Sequence, residues 1–190
     1  MNHDILLASQ SPRRRELIGR LKREVVAIST DADETLPEGI AAEEAPELLA
    51  ARKAGAAKNA AEAADRVIVA ADTVVILGGE ILGKPKDADD AKRMLRMLSG
   101  ATHTVVTGVC IIAPDGQSLS FREETQVSFF PLTDADIDAY IATGEPMDKA
   151  GAYGIQGDGC MLVDRISGDY YNVVGLPVAR LGRMLRMMGV

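Results

Sequence analysis

The sequence has no tryptophan, three phenylalanines and four tyrosines, so aromatic residues make up only 4% of its 190 residues. Its core must be built from Val, Ile, Leu, Ala and Met, which suits strands packed on alanine-rich helices. Long apolar runs are missing too: none approaches the ~20 residues a membrane-spanning helix needs. The opening Met1-Asn2-His3-Asp4 has no basic stretch followed by a long apolar segment, so no secretory signal and a cytoplasmic location are expected. The only two cysteines, Cys110 and Cys160, stand among apolar neighbours and lack metal-ligand or CxxC spacing, so both are expected to be buried thiols. Positive charge is in deficit, with a formal net charge of −7. That argues against general nucleic-acid binding, which draws on a basic surface. An anionic small molecule would need a local basic cluster or metal ions, and the sequence offers both.

What is present reads as one α/β unit over residues 1–190, with strands in mixed directions and helices on the sheet. Ile5-Leu6-Leu7-Ala8 is a short buried strand. Ser11 is a good N-cap, Pro12 suits the first helical position, and Leu17, Ile18 and Leu21 form an apolar stripe. A second strand spans about Val25 to Ser29. The Ala-, Glu- and Lys-rich stretch from Glu43 to Ala64 predicts a long helix. Val67 to Ala71 is a buried strand whose end carries Asp72 and Thr73, and Gly78-Gly79 suits a hairpin turn. Asp87 caps a helix to Leu98, and Thr104–Ala113 and Leu119–Phe130 pair around Pro114-Asp115-Gly116. Thr133 caps a short helix, and Pro177 opens the last one.

Several segments carry candidate chemistry. In Ser9-Gln10-Ser11-Pro12-Arg13-Arg14, a strand-to-helix turn presents free backbone N–H groups and two guanidinium forks, which suit phosphate. It reads equally as an ordinary helix start. Asp72, at the carboxyl end of an apolar strand, could hold a divalent cation or accept a proton from water. The acidic loop Asp31-Ala32-Asp33-Glu34 offers hard oxygen ligands, or simply a solvated surface. Lys53, Lys84 and Lys149 are candidate phosphate partners, and Lys84 stands out because Gly83 and Pro85 restrain its backbone. His103 reads as a structural histidine. In Gly151-Ala152-Tyr153-Gly154-Ile155-Gln156-Gly157, the glycines would let backbone approach a ligand, and the Gln156 amide could meet a base edge.

In order along the chain, these segments resemble the Maf family of nucleotide pyrophosphatases. The likeness is carried by Leu7-Ala8-Ser9-Gln10-Ser11-Pro12-Arg13-Arg14, Asp33-Glu34, Lys53-Ala54, Ala71-Asp72-Thr73-Val74-Val75 and Leu82-Gly83-Lys84-Pro85. It continues in Leu98-Ser99-Gly100, Thr107-Gly108-Val109, Glu124 to Phe129, Gly144-Glu145 through Gly157, and Tyr171 to Pro177. The resemblance implies a mixed twisted sheet with flanking helices and two lobes around a cleft, similar to the inosine-triphosphate pyrophosphatase fold. It also implies a divalent cation, Mg²⁺ or Mn²⁺, and a homodimer.

The segment from Asp148 to Gly157 is similar to the branch acting on dTTP and UTP. By the same likeness Asp72 matches the position of the proton acceptor; on this reading Glu34 and Asp72 would bind the metal or orient the water, and Ser9, Ser11, Arg13, Arg14, Lys53, Thr73, Lys84 and Gln156 would bind substrate. Arg13, Thr73 and Gln156 match positions linked to substrate choice. The chain departs from the family pattern at Arg52, where an acidic residue is common, and in the highly charged Arg20 to Glu24. The competing expectation is a nucleotide-binding regulator of septum formation that turns nothing over.

Overall fold

Ile5–Ala8 (β1) is buried along its whole length, the pattern of a strand covered on both faces. It lies between two parallel partners, Val25–Ile28 (β2) and Val67–Leu77 (β3). Glu80–Leu82 (β4) returns antiparallel on β3 through Gly78-Gly79, both at positive φ, which a two-residue hairpin turn requires. Thr102–Ile112 (β5) and Ser118–Phe129 (β6) follow, with Val163–Ser167 (β7) antiparallel to β6. The seven-stranded mixed sheet has the order β2-β1-β3-β5-β6-β7, with β4 beside β3. The computed structural model describes residues 3–190.

The chain forms two compact units: residues 1–72, 107–123 and 175–190 make the first, and residues 73–106 and 124–174 make the second. In the first, Pro12–Gly19 (α1) starts at Ser11, whose hydroxyl accepts the Arg14 N–H as an N-cap. Ala45–Ala57 (α2) sets Ala50, Ala54 and Ala57 against Leu6, Ala8, Ile68, Ala70, Cys110 and Ile112. Alanines on that face release little apolar area each, but they let the helix axis come close to the sheet. The approach is closest at Gly108 of β5, where a Cβ would lie 2.2 Å from the Glu47 nitrogen and 2.3 Å from the Pro46 carbonyl carbon. The unit ends in Val178–Met187 (α6), with Leu181 and Leu185 buried.

In the second unit, Ala88–Leu98 (α3) is capped by Asp87 and buries Ala91, Met94, Leu95 and Leu98. Asp134–Ala142 (α4) begins with a capping box: the Thr133 hydroxyl takes the Asp136 N–H, and the Asp136 carboxylate takes the Thr133 N–H. Most of the few aromatic residues lie here. His103, Phe129 and Tyr153 meet edge to face, with centroids 4.8–5.3 Å apart, and His103 Nε2 lies 2.8 Å from the Tyr153 hydroxyl. His103 is therefore a packed structural residue.

Three sequence expectations need correction. The long helix stops at Ala57, and a 3-10 turn at Ala61–Ala63 follows, because most of that stretch is exposed and only Ala63 packs against the core. Asp72 is at the centre of β3, because Val74, Val75 and Ile76 carry the strand on into buried surroundings. Cys160 is exposed beside Met161, while Cys110 is buried. The glycine-rich stretch is a series of 3-10 turns, Glu145–Asp148, Ala150–Ala152 and Asp158–Leu162, followed by β7 and Tyr170–Val174 (α5).

Candidate active site

In the first unit a single ammonium draws together two carboxylates distant in sequence. Lys53, on α2, places Nζ 2.6 Å from Asp72 Oδ1 and 2.8 Å from Glu34 Oε1. Lys53 and Asp72 are each only 16% exposed at the side chain, whereas Glu34 is 64% exposed. Burial on its own lowers the Lys53 pKa, but Asp72 and then Glu34 outweigh it and raise the pKa above the ordinary value. The lysine is therefore fully charged at neutral pH.

The acidic loop is held by Arg52. Its guanidinium donates to the carbonyls of Asp33 (3.0 Å) and Thr35 (2.6 Å) and lies 3.5 Å from the Asp33 carboxylate. Asp33 in turn takes the Thr35 N–H at 2.9 Å. These bonds bracket Glu34 on both sides and fix where its carboxylate starts. A lone basic residue in the sequence carried no signal of this role, because its partners are backbone oxygens.

The turn from β1 to α1 supplies the arginines. Arg14 Nε donates to the Gly175 carbonyl at 2.8 Å, and its Nη1 lies 3.5 Å from Ser9 Oγ, which also takes the Ser11 N–H. Burial lowers the Arg14 pKa, opposed by the charge of Asp72 and assisted by that of Arg13. Arg14 thus braces the turn. Arg13 is half-buried one residue earlier, and Ser9 and Ser11 are half-buried with their hydroxyls in the turn's own hydrogen bonds.

The remaining candidates belong to the second unit. Thr73 follows Asp72 in β3 and is half-buried. Lys84 is exposed in the loop after β4, whose Gly83 carbonyl takes the Gly151 N–H at 3.0 Å. Gln156 is exposed between buried Ile155 and exposed Gly157. Lys149 is turned inward: its Nζ donates to the Glu145 carbonyl and to Asp148 Oδ1, both at 2.7 Å.

Glu34 and Asp72 suit a hard divalent cation, since both already point an oxygen at one positive charge. Among the described residues no group of three or more His, Cys, Asp or Glu side chains could hold a metal. Two carboxylates, with phosphate oxygens and water completing the shell, is the arrangement Mg²⁺ favours. Among the same residues no helix is long and apolar enough to cross a membrane.

Comparison with solved structures shows what kind of fold carries this cluster. A HAM1 protein from Coxiella burnetii matches 97% of this chain and 99% of its own, with a TM-score of 0.50 at 12% identity, a likeness of fold alone. The family model described as Maf-like protein matches residues 4–188, and the chain belongs to the Maf family. The chain is 48% identical over 190 residues to a dTTP/UTP pyrophosphatase of Bacillus velezensis, covering 100% of this chain and 99% of that one. Another protein of that name, from a Geobacillus species, is 50% identical over 97% of this chain and 98% of its own. A third, from Anaeromyxobacter dehalogenans, is 47% identical over 97% and 94%.

Proposed function

We propose that this chain hydrolyses dTTP and UTP to the nucleoside monophosphate and pyrophosphate. The observation that carries the reading is the Glu34–Lys53–Asp72 cluster, set in a chain 48% identical over its whole length to a dTTP/UTP pyrophosphatase. A water oxygen forms a bond to the α-phosphorus as the bond from that phosphorus to the α,β-bridging oxygen breaks. Pyrophosphate leaves with the electron pair, and the water proton passes to Asp72. Asp72 Oδ1 engages Lys53, so its role as acceptor requires the ammonium to shift onto the polyphosphate.

Lys53, Arg13 and Lys84 then offset the phosphate charge, which is how an acidic chain binds an acidic substrate. Arg14 acts from behind by holding the turn on Gly175, with Ser9 and Ser11 completing it. A divalent cation held by Glu34 and Asp72 would neutralise phosphate charge and acidify the attacking water. Thr73 and Gln156 are assigned to substrate choice, Gln156 through its amide against the pyrimidine edge. The same reading makes the protein a cytoplasmic homodimer, and light scattering tests the dimer.

The test is pyrophosphate release from dTTP, UTP, CTP, GTP and ITP, with Mg²⁺ or Mn²⁺ and with EDTA. Metal-dependent release centred on dTTP and UTP is expected. Release centred on purines overturns the assigned base. Nucleotide-dependent stabilisation without any release overturns the enzyme in favour of a binding protein.

A further inference from the structure

Gly154 and Gly157 make room for the side chains of Lys149 and Glu145. Glu145, which follows the left-handed Gly144 (φ 74°), stands at the centre. Its Oε1 accepts the Tyr140 hydroxyl at 2.8 Å and the Gly159 N–H at 3.4 Å, and its Oε2 accepts the Asp158 N–H at 2.9 Å. The Tyr140 oxygen also accepts the Gly154 N–H at 3.0 Å. One carboxylate and one phenol therefore grip the backbone two residues before Gln156 and two residues after it.

The packing leaves no slack around that grip. A Cβ on Gly157 would lie 2.0 Å from Glu145 Oε2, and one on Gly154 would lie 2.5 Å from Lys149 Cε. Tyr153 and Ile155 are buried on the loop's inner side while Gln156 is exposed. Burial pushes the Glu145 carboxyl up, but the bonds from Tyr140, Asp158 and Gly159 bring it below the ordinary range, so it remains an all-acceptor group.

Base choice needs such a grip. Uracil and thymine present a donor at N3 and an acceptor at O4, and cytosine presents the reverse. A glutamine amide carries both an oxygen and an NH₂, so the same side chain turned over serves cytosine. Discrimination requires the amide to meet the base in one setting, which a loop free to shift would lose.

We propose that Glu145 is the positioning residue for base selection, fixing the loop that presents Gln156. The proposal rests on Gln156 reading the pyrimidine edge. Glu145→Gln keeps the shape but turns one acceptor into a donor facing backbone N–H groups or the Tyr140 hydroxyl. Tyr140→Phe removes one bond to the carboxylate and the acceptor for Gly154.

The experiment compares kcat and KM for UTP and CTP in Glu145→Gln, Tyr140→Phe and Gln156→Ala, with amide exchange across residues 153–160 and thermal unfolding. In Glu145→Gln the UTP-to-CTP ratio of kcat/KM falls roughly tenfold, mainly through a higher KM for UTP. Exchange at residues 154–159 accelerates while the unfolding midpoint barely moves. Tyr140→Phe shifts the ratio the same way by roughly threefold, and it decides the matter should Glu145→Gln fail to fold.

An unchanged ratio in the folded Glu145 or Tyr140 variant, beside a collapsed ratio in Gln156→Ala, overturns the role of Glu145. An unchanged ratio in Gln156→Ala beside a shifted one in Glu145→Gln instead overturns Gln156 as the reader and leaves the grip standing.

Discussion

Lys53 Nζ lies 2.6 Å from Asp72 Oδ1, and the same ammonium reaches Glu34. A cation bound by both carboxylates would meet that ammonium at close range, so lysine and metal compete for the same oxygens. Lys53→Met is expected to tighten Mn²⁺ binding to the nucleotide-free protein by roughly tenfold, since a full positive charge within a few ångströms is removed. Turnover falls in the same variant, because the polyphosphate loses a counter-charge. Electron paramagnetic resonance of free Mn²⁺ reads the affinity directly. Unchanged or weaker binding would show that these carboxylates do not hold the metal.

Asp72→Asn preserves the volume of the side chain but abolishes its charge and its use as a proton acceptor. Turnover of UTP is expected to drop by about 100-fold or more, the usual scale for a general base. Circular dichroism and thermal unfolding should show the fold intact. Turnover near that of the wild type would remove Asp72 from the chemistry.

His103 gives a pH signature. It is 2% exposed, and burial lowers its pKa from 6.5 to about 4. As pH falls from 7, the unfolded chain takes up the imidazole proton first, so stability declines between 6.5 and 4. From pH 7 to pH 5 the loss is about 2 kcal/mol. The carboxylates held low at Asp33, Asp90, Asp136 and Glu145 lose their contributions only at more acid pH. Urea unfolding at the two pH values should show the loss in the wild type and its near absence in His103→Gln.

Gly108→Ala tests how α2 is seated. The new methyl group would fall within 2.4 Å of the main chain of Pro46 and Glu47, and a backbone cannot rotate aside as a side chain can. A destabilisation of about 3 kcal/mol is expected from such overpacking. Differential scanning calorimetry measures it, and a change within experimental error would mean that the helix can lift away without cost.

The short-range features of this fold were legible in the sequence. Asp87, Thr133 and Ser11 cap their helices as expected, and Gly78-Gly79 turns its hairpin, because each signal lies within four residues of its effect. The boundaries that failed depend on distant packing. Ala61 and Ala64 favour helix but face solvent, leaving only Ala63 of that turn against the core, and β7 pairs with β6 as a sheet-edge strand of half-buried and exposed residues. The site divides in the same way. Asp72, Lys53 and Glu34 could be named as candidates, but their convergence spans 19 positions or more along the chain and exists only once α2 lies on the sheet. The holding roles of Arg52 and Glu145 were not legible, because what they hold is largely main chain.

The bond from Arg14 to Gly175 bridges 161 positions. A nascent chain therefore makes the turn that bears Ser9, Ser11 and Arg13 long before it makes the carbonyl that braces it. Residues 175–190 also belong to the same compact unit as that turn, so a fragment that lacks them leaves the turn unbraced.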